Sequence, residues 1–381
     1  MEFNYINNNY NYSGSIFDVI KAKWIFTKPK KNKVLVYDRQ SEQSSKYLFK
    51  KKDCEFLDVR YESFNIYVLI LALKSLKFKK IVENYKKIYI ELVNPKIVYT
   101  AIDNNPAFYK LKDIVKGPVY ITDQFGLSKV EDSYKQDLFY GNLKNYKKIT
   151  NKMPKVDHMF LFGENDKKKM SKLINGKTHL FGNTKNNHFI IRNRKTLKRI
   201  STILFISSAY YERALIQDKI IFKHLCRFCE KRKIKISFAG RQSRNHPEKG
   251  EKFYRNYFEK GKWTFLPRIS TNKTYNNLNK QQMIVFAHST LGFQALAKGI
   301  KCAVFYECFP EKGARGKFPK KGPFWTNSNN YQDFEKLLNK IIKCSNEKWL
   351  KISKKYSEII LPYRPYNKEK KKVIDKILND A

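Results

Sequence analysis

The chain has 381 residues, too many for one ordinary core and suited to two domains. With 42% hydrophobic and 15% aromatic residues it can fill both cores, which excludes a disordered chain. The formal net charge of +44 comes from 64 lysines and only 14 arginines, in a chain also rich in Asn, Ile, Tyr and Phe. That mixture reads as compositional drift, because a nucleic-acid reader would favour arginine forks; nucleic acid is not the expected partner.

The elements follow in chain order. Residues 1–23, opening MEFNYINNNYNYSGS, are polar and carry neither a basic start nor an apolar stretch, so they read as a weakly ordered lead-in and not a signal peptide. KVLVYD (33–38) and CEFLDVR (54–60) are short apolar runs that read as buried parallel strands. Residues 65–87 have helical spacing. The apolar run IYVLILAL (66–73) within them is too short to span a bilayer. IVYTAID (97–103), PVYITDQ (118–124), HMFLFG (158–163) and THLFGN (178–183) are four more strands, and Glu164-Asn165-Asp166 reads as a polar loop. A polar, basic stretch (183–201) contains the expected linker at 191–200. The pattern then restarts with strand STILFISS (201–208), helix DKIIFKHLCRFCEKRK (218–233), strand KISFAGR (235–241), strand QMIVFAHS (282–289) and strand KCAVFY (301–306). Helical patterns fill 332–380, broken by Pro362 and Pro365.

Strands alternating with helices predict βαβ units, parallel sheets and right-handed crossovers. The expected domains are an N-terminal αβ domain over 24–190 and a C-terminal αβ domain over 201–345. Helices at 346–381 would pack back on the first. Six irregularly spaced cysteines exclude a disulfide scaffold, and Cys226 and Cys229 on the helical HLCRFCEKRK read as core thiols.

Three constellations could carry chemistry. In IVFAHSTLGFQALAKGIKCAVF a strand ends at Ala287, and a turn with His288, Ser289 and Thr290 leads through Gly292 into a short helix ending at Gly299. Free N–H groups at a helix start beyond a parallel strand attract phosphate, hydroxyls add donors, and Gly292 would let backbone approach a ligand. In the second, Ser207 and Ser208 end one strand and Arg241 ends the next, with Arg244 following, so a diphosphate could be gripped there. In the third, Asp38, Asp58, Arg60, Glu62, Asp103 and Asn104 lie at the ends of three strands of the first domain. Carboxylates at strand ends suit removal of a proton from an acceptor hydroxyl, with Glu62 and Asp103 preferred and Asp58 beside them. Helix capping by Asp103 and Asn104 is the alternative use. There is no DxD on a suitable loop, no GxxxxGK[ST] and no GxGxxG, so no metal ion is expected to be needed.

The 282–305 segment is similar to the nucleotide-sugar-binding unit of GT-B glycosyltransferases. More closely, the chain resembles a family of bacterial surface-carbohydrate (lipopolysaccharide or capsule) biosynthesis proteins. The resemblance rests on KPKKNKVLVYDRQS (28–41), FLDVRYESFNIYVL (56–69), PKIVYTAIDNNPAFYKL (95–111), ITDQFGLS (121–128) and HSTLGFQALAKGIKCAVF in that order. It implies a GT-B-like α/β fold, two doubly wound parallel-sheet (Rossmann-like) domains facing a cleft. The implied reaction is metal-independent sugar transfer from a nucleotide-sugar co-substrate to a glycan or lipid-linked glycan, with no other cofactor. Such an enzyme would be cytoplasmic, with peripheral contact to an anionic inner membrane face. It would place His288, Ser289, Thr290, Gly292, Gln294, Ser207, Ser208 and Arg241 on the donor, and Asp38, Arg60, Asn104 and Gln124 on the acceptor side. Two positions depart from the pattern. Gln294 stands where the family has Glu, and Phe125 follows Gln124 where relatives carry Asn. A CDP-glycerol-type transferase, a nucleotide-sugar epimerase of the same fold and a GT-B-like binding protein without catalysis stay open on sequence.

Overall fold

The computed structural model describes residues 20–60, 62–75, 81–127, 152–190, 200–207, 212–240, 250–258, 261–268, 270–287, 289–305 and 322–380. They form two compact units. The first holds the described residues up to His188 and resumes at Arg364; the second spans Phe189–Tyr363.

In the first unit β1 (Lys23–Ile25) pairs in parallel with β4 (Ser63–Asn65). The main sheet joins β2 (Val34–Tyr37), β3 (Cys54–Leu57), β5 (Ile97–Thr100), β6 (Val119–Asp123), β7 (Lys155–Leu161) and β8 (Asn175–Leu180), all parallel, in the order β3-β2-β5-β6-β7-β8. Successive residues serve opposite faces. Leu35, Tyr37, Val98, Tyr120 and Met159 build one core, and Val34, Val36, Ile97, Tyr99 and Phe160 build the other. That is why these strands read as unbroken apolar runs.

The helices are α1 (Glu42–Ser45), α2 (Ile66–Lys74), α3 (Ile81–Val93), α4 (Pro106–Ile114), α5 (Glu164–Met170) and α6 (Thr184–His188). The expected helix at 65–87 is therefore two, α2 and α3. The Glu164-Asn165-Asp166 stretch, expected as a loop, opens α5. The acids there favour a helix start, and Asp166 is buried. Likewise α6 lies in the stretch read as polar linker, because Asn186 and Asn187 are buried and bonded inside the unit.

In the second unit β9 (Thr202–Ile206), β10 (Lys235–Ala239), β11 (Trp263–Phe265), β12 (Met283–Phe286), β13 (Lys301–Phe305) and β14 (Trp325–Thr326) form a second parallel sheet, ordered β11-β10-β9-β12-β13-β14. Counted from β9 this is the 3-2-1-4-5-6 order, with its switch point between β9 and β12. Its helices are α7 (Glu212–Arg232), α8 (Glu251–Tyr257), α9 (Thr271–Asn279), α10 (Thr290–Ala297), α11 (Tyr331–Lys343) and α12 (Asn346–Ile360). Phe205, Phe222, Phe238, Phe258 and Trp263 interlock on one face at ring distances of 4.9–6.3 Å. On the α7 CxxC, Cys229 is buried and Cys226 half-buried, both as free thiols.

The chain then returns to the first unit as α13 (Lys368–Asp380), which lays Ile374 on the Val34–Tyr99 core. Its Lys370 has no exposed surface and reaches Asp123 Oδ1 at 2.7 Å and the Gly182 carbonyl at 3.1 Å.

Candidate functional site

At the second unit's switch point, α10 begins just past the carboxyl end of β12. Ser289 is its N-cap, and its hydroxyl oxygen accepts the Gly292 N–H at 3.3 Å. The Thr290 and Leu291 N–H groups lie in the helix's first turn, where no intrahelical acceptor exists. Gly292 corrects a sequence expectation. Its φ is not positive, and a Cβ added there would come within 2.5 Å of the Phe286 ring. It is glycine because the helix packs tightly on its strand, and the expected ligand approach is not what demands it.

Gln294 is buried and accepts the Tyr275 hydroxyl at 2.7 Å. Tyr275 stacks on Phe189 at 4.6 Å, and the Lys298 ammonium sits 4.9 Å over its ring. A neutral amide thus stands at this position, and a tyrosine hydroxyl is aimed at it. Ser207 is buried, and its hydroxyl donates to Asp218 at 2.7 Å, tying the end of β9 to α7. Ser208, Arg241, Arg244 and His288 lie outside the described residues.

The residue the sequence reading missed is Arg268. It follows β11 in Leu266-Pro267-Arg268 and lines a narrow pocket with Ala239, Leu266, Thr274 and Leu291. Those residues belong to the loops and helices at the carboxyl ends of the second sheet. Arg268 is only partly exposed, and burial lowers the pKa of its guanidinium; the remote Tyr254 and Tyr275 oppose that shift. Among the described residues no carboxylate or other acceptor bonds it. One signal was available, since arginine is scarce beside lysine here and this one follows the WTFL run after a single proline.

In the first unit, carboxylates follow the ends of four adjacent strands. Asp38, after β2, is fully buried at φ 74° and pairs with Arg60 Nε at 2.8 Å. A non-glycine residue in the left-handed region is strained and held by its surroundings. Asp58 is committed to Arg39, through Nε at 2.8 Å and Nη2 at 3.1 Å, and to the Ser63 hydroxyl at 2.6 Å. Glu62 accepts the Arg60 N–H on Oε2 at 2.9 Å, and its Oε1 is buried with no partner. Burial raises the Glu62 pKa, two backbone N–H bonds oppose the rise, and the charges of Asp58 and Asp38 add to it.

Asp103, after β5, is buried, and its pKa stands well above the ordinary carboxylate range. Burial is the main cause, opposed by backbone N–H bonds and reinforced by Asp123 and Asp166. Asp103 accepts the Phe125 N–H at 3.3 Å. Neither Asp103 nor Asn104 caps α4; Asn105 does, accepting the Ala107 N–H at 3.0 Å. Gln124, placed on the acceptor side by resemblance, spends its amide locally. Its oxygen accepts the Phe162 N–H at 2.8 Å, and its nitrogen donates to Gly126 O and Asp166, both at 2.9 Å. Among the described residues no three His, Cys, Asp or Glu side chains gather where a metal ion could be held. Also among these residues, no helix is long and apolar enough to cross a membrane.

A family model for O-antigen biosynthesis proteins matches residues 133–378. The chain belongs to this O-antigen biosynthesis family. The fold of this family member is that of GT-B enzymes. The Neisseria meningitidis UDP-GlcNAc 2-epimerase bound to UDP-GlcNAc overlays with a TM-score of 0.57 at 11% identity, covering 91% of this chain and 99% of that one. The Staphylococcus aureus MnaA–UDP co-structure gives 0.54 at 13%, over 91% and 97%. Sucrose-phosphate synthase from Thermosynechococcus elongatus gives 0.52 at 10%, over 92% and 100%. No curated protein matches the sequence. At such identities the likeness concerns the fold, and the reaction must be argued from the O-antigen family member's own residues.

Proposed function

We propose that the chain is a glycosyltransferase that moves a sugar from a nucleotide-activated donor to a surface-glycan or lipid-linked glycan acceptor, without a metal ion. The observation that carries this reading is Arg268. It is a permanently charged, partly buried guanidinium with no counter-ion among the described residues, in a pocket it shares with Leu291 of the α10 first turn. An unpaired cation beside free helix N–H groups suits a phosphate. The diphosphate of a nucleotide-sugar brings such charge, and that charge grows on the leaving group as the glycosidic C–O bond breaks.

The acceptor falls to the first unit. Glu62 is the base we assign there: its Oε1 is unpartnered, and its raised pKa makes it a stronger proton acceptor than an ordinary carboxylate. It would take the acceptor hydroxyl proton as that oxygen bonds to the anomeric carbon. Asp38, Arg60 and Asp58 with Arg39 hold the 58–62 segment in place. Asp103 is the second candidate, less suited because burial disfavours its ionised form. On the donor side Gln294 and Tyr275 form a hydrogen-bonded pair suited to a ribose hydroxyl.

A thermal-shift screen with UDP-, GDP-, CDP- and CMP-sugars tests the reading. A donor at about 100 times its Kd should stabilise the protein by about 2.7 kcal/mol. Arg268→Gln should lose most of that shift, while any shift from the bare nucleoside survives. No shift with any nucleotide would refute the donor site. Release of free nucleotide together with an altered sugar, in the absence of an acceptor, would replace transfer with an epimerase-type reaction.

A further inference from the structure

Lys86, in the second turn of α3, is a half-buried cation that the proposed transfer does not use. Its ammonium donates to the Tyr37 hydroxyl at 3.1 Å and sits 5.5 Å over that ring. Among the described residues it forms no ion pair. Burial lowers its pKa, and the charges of Asp38 and Glu83 oppose that shift without cancelling it. A cation drawn out of water beside a neutral hydroxyl is poorly compensated, so an anion arriving there is bound and stabilises it. Lys86 opens onto a groove of about 270 Å³ between α3 and α4, walled by Ile81, Ala107, Leu111 and Ile114. A space of this size suits one sugar ring rather than a whole nucleotide, and its apolar walls suit the C–H face of such a ring.

Glu83 and Lys110 also line the groove and offset one another, so Lys86 leaves it one positive charge in excess. Its place in the fold is that of the acceptor carboxylates. Helix α3 runs toward the start of β5 and α4 leaves from its end, so Ile81 and Ala107 stand at the sheet's carboxyl end, as do Asp38 and Asp103. We infer that this groove is an acceptor subsite for an acidic sugar, with Lys86 donating to the carboxylate of a uronic-acid ring whose C–H face lies on Leu111 and Ile114. The inference rests on the first unit receiving the acceptor, and it names the kind of glycan received, one that presents a monoanionic sugar. A diphosphate fits less well, because its further charges would face Glu83 with a single inner ammonium to meet them.

Ligand-observed NMR titration with methyl glucuronide and methyl galacturonide, each beside its methyl ester, tests this without donor or turnover. The ester keeps the shape of the sugar and removes its charge. At least one free acid should bind the wild-type chain about tenfold more tightly than its ester. Lys86→Met keeps the apolar stem and leaves no charge stranded, so it should hold the wild-type melting temperature and bind acid and ester alike; Lys86→Gln is the second variant should the first not fold. Equal binding of acid and ester by the wild-type chain, or an acid preference that survives loss of the ammonium, overturns the inference. So does inorganic pyrophosphate binding that is tighter than that of either acid and is lost in Lys86→Met, which would assign the groove to a phosphate. No acid preference with transfer intact would remove the subsite alone, whereas Lys86-dependent acid binding without transfer to any acceptor would keep the subsite and refute the transfer.

Discussion

Lys370 gives the sharpest test of how the first unit is held together. Its ammonium has no exposed surface and bonds Asp123 Oδ1, Gly182 O and Thr184 Oγ1 at 2.7, 3.1 and 2.5 Å. Asp123 in turn accepts the hydroxyls of Thr184 at 2.5 Å and Tyr99 at 3.2 Å. Burial lowers the Lys370 pKa, and the Asp123 carboxylate opposes the shift. Removing one partner of a buried pair costs about 3–5 kcal/mol, because the other is left charged and alone. Lys370→Met leaves a carboxylate that still has two hydroxyl donors, so its cost belongs near about 3 kcal/mol. Asp123→Asn leaves an ammonium with neutral acceptors and belongs near the upper figure. At roughly 2–4 °C per kcal/mol, the first unit's melting temperature should fall by about 6–20 °C. The double variant Lys370→Met/Asp123→Leu removes both charges and should lie within about 1 kcal/mol of wild type, which makes the cycle strongly non-additive. Urea unfolding across pH adds a sign. A lone buried lysine is penalised while protonated, so Asp123→Asn should gain stability as pH rises; a lone buried carboxylate is penalised while ionised, so Lys370→Met should gain as pH falls. Singles costing under about 1 kcal/mol, or slopes of the same sign, would refute the view that this pair pins α13 to the sheet.

Gly292→Ala should destabilise the second unit by about 1–3 kcal/mol in denaturant titrations, because the new methyl meets the Phe286 ring at 2.5 Å. Tyr275→Phe removes the hydroxyl that donates to Gln294 and should cost about 1 kcal/mol and weaken binding of a ribose-bearing ligand more than of pyrophosphate, read by calorimetry. Glu62→Gln should lower the transfer rate by about 10²–10⁴-fold. Because the Glu62 pKa is raised, the acid limb of the wild-type rate profile should lie above the ordinary glutamate value of about 4.3. The stability sign runs the other way: a carboxyl with a raised folded pKa stabilises below its unfolded pKa and loses that contribution as pH rises through the folded one. Ser289→Ala with Thr290→Ala should abolish a donor-induced thermal shift while leaving a folded protein short of about 1 kcal/mol from the lost cap.

The two parallel sheets were legible because fully buried strands must be apolar on both faces, as in KVLVYD and STILFISS. The strands that escaped are short and half-polar: β11 is Trp-Thr-Phe, and β14 is two residues long. They are made by pairing with longer neighbours, a tertiary effect that no local pattern announces. Helix α6 escaped for a related reason, because its polar asparagines are buried by partners far along the chain, Asn187 by Asn367 among them. At the site, residue types at strand ends could be read, but what each side chain bonds could not. Ser207 is spent on Asp218 and Asp58 on Arg39, while Arg268, in an unrecognised strand–helix connection, has no acceptor among the described residues.

The distribution of charge is the strongest argument for function in so basic a chain. In the first unit the carboxyl ends of β2, β5, β6 and β7 are followed by the buried acids Asp38, Asp103, Asp123 and Asp166. Asp38 is paired with Arg60 and Asp123 with Lys370; burial raises the pKa of Asp103, and Asp166 accepts from the Gln124 amide. At the carboxyl end of the second sheet stand Arg268, which no acceptor bonds among the described residues, the first-turn N–H groups of α10, the neutral Gln294 and one buried carboxylate, Asp218, bonded to Ser207. The acidic end suits a hydroxyl that must lose a proton, and the cationic end suits a phosphate that must take on charge. Gln294 adds no charge to that end, since its neutral amide oxygen is held by the Tyr275 hydroxyl at 2.7 Å.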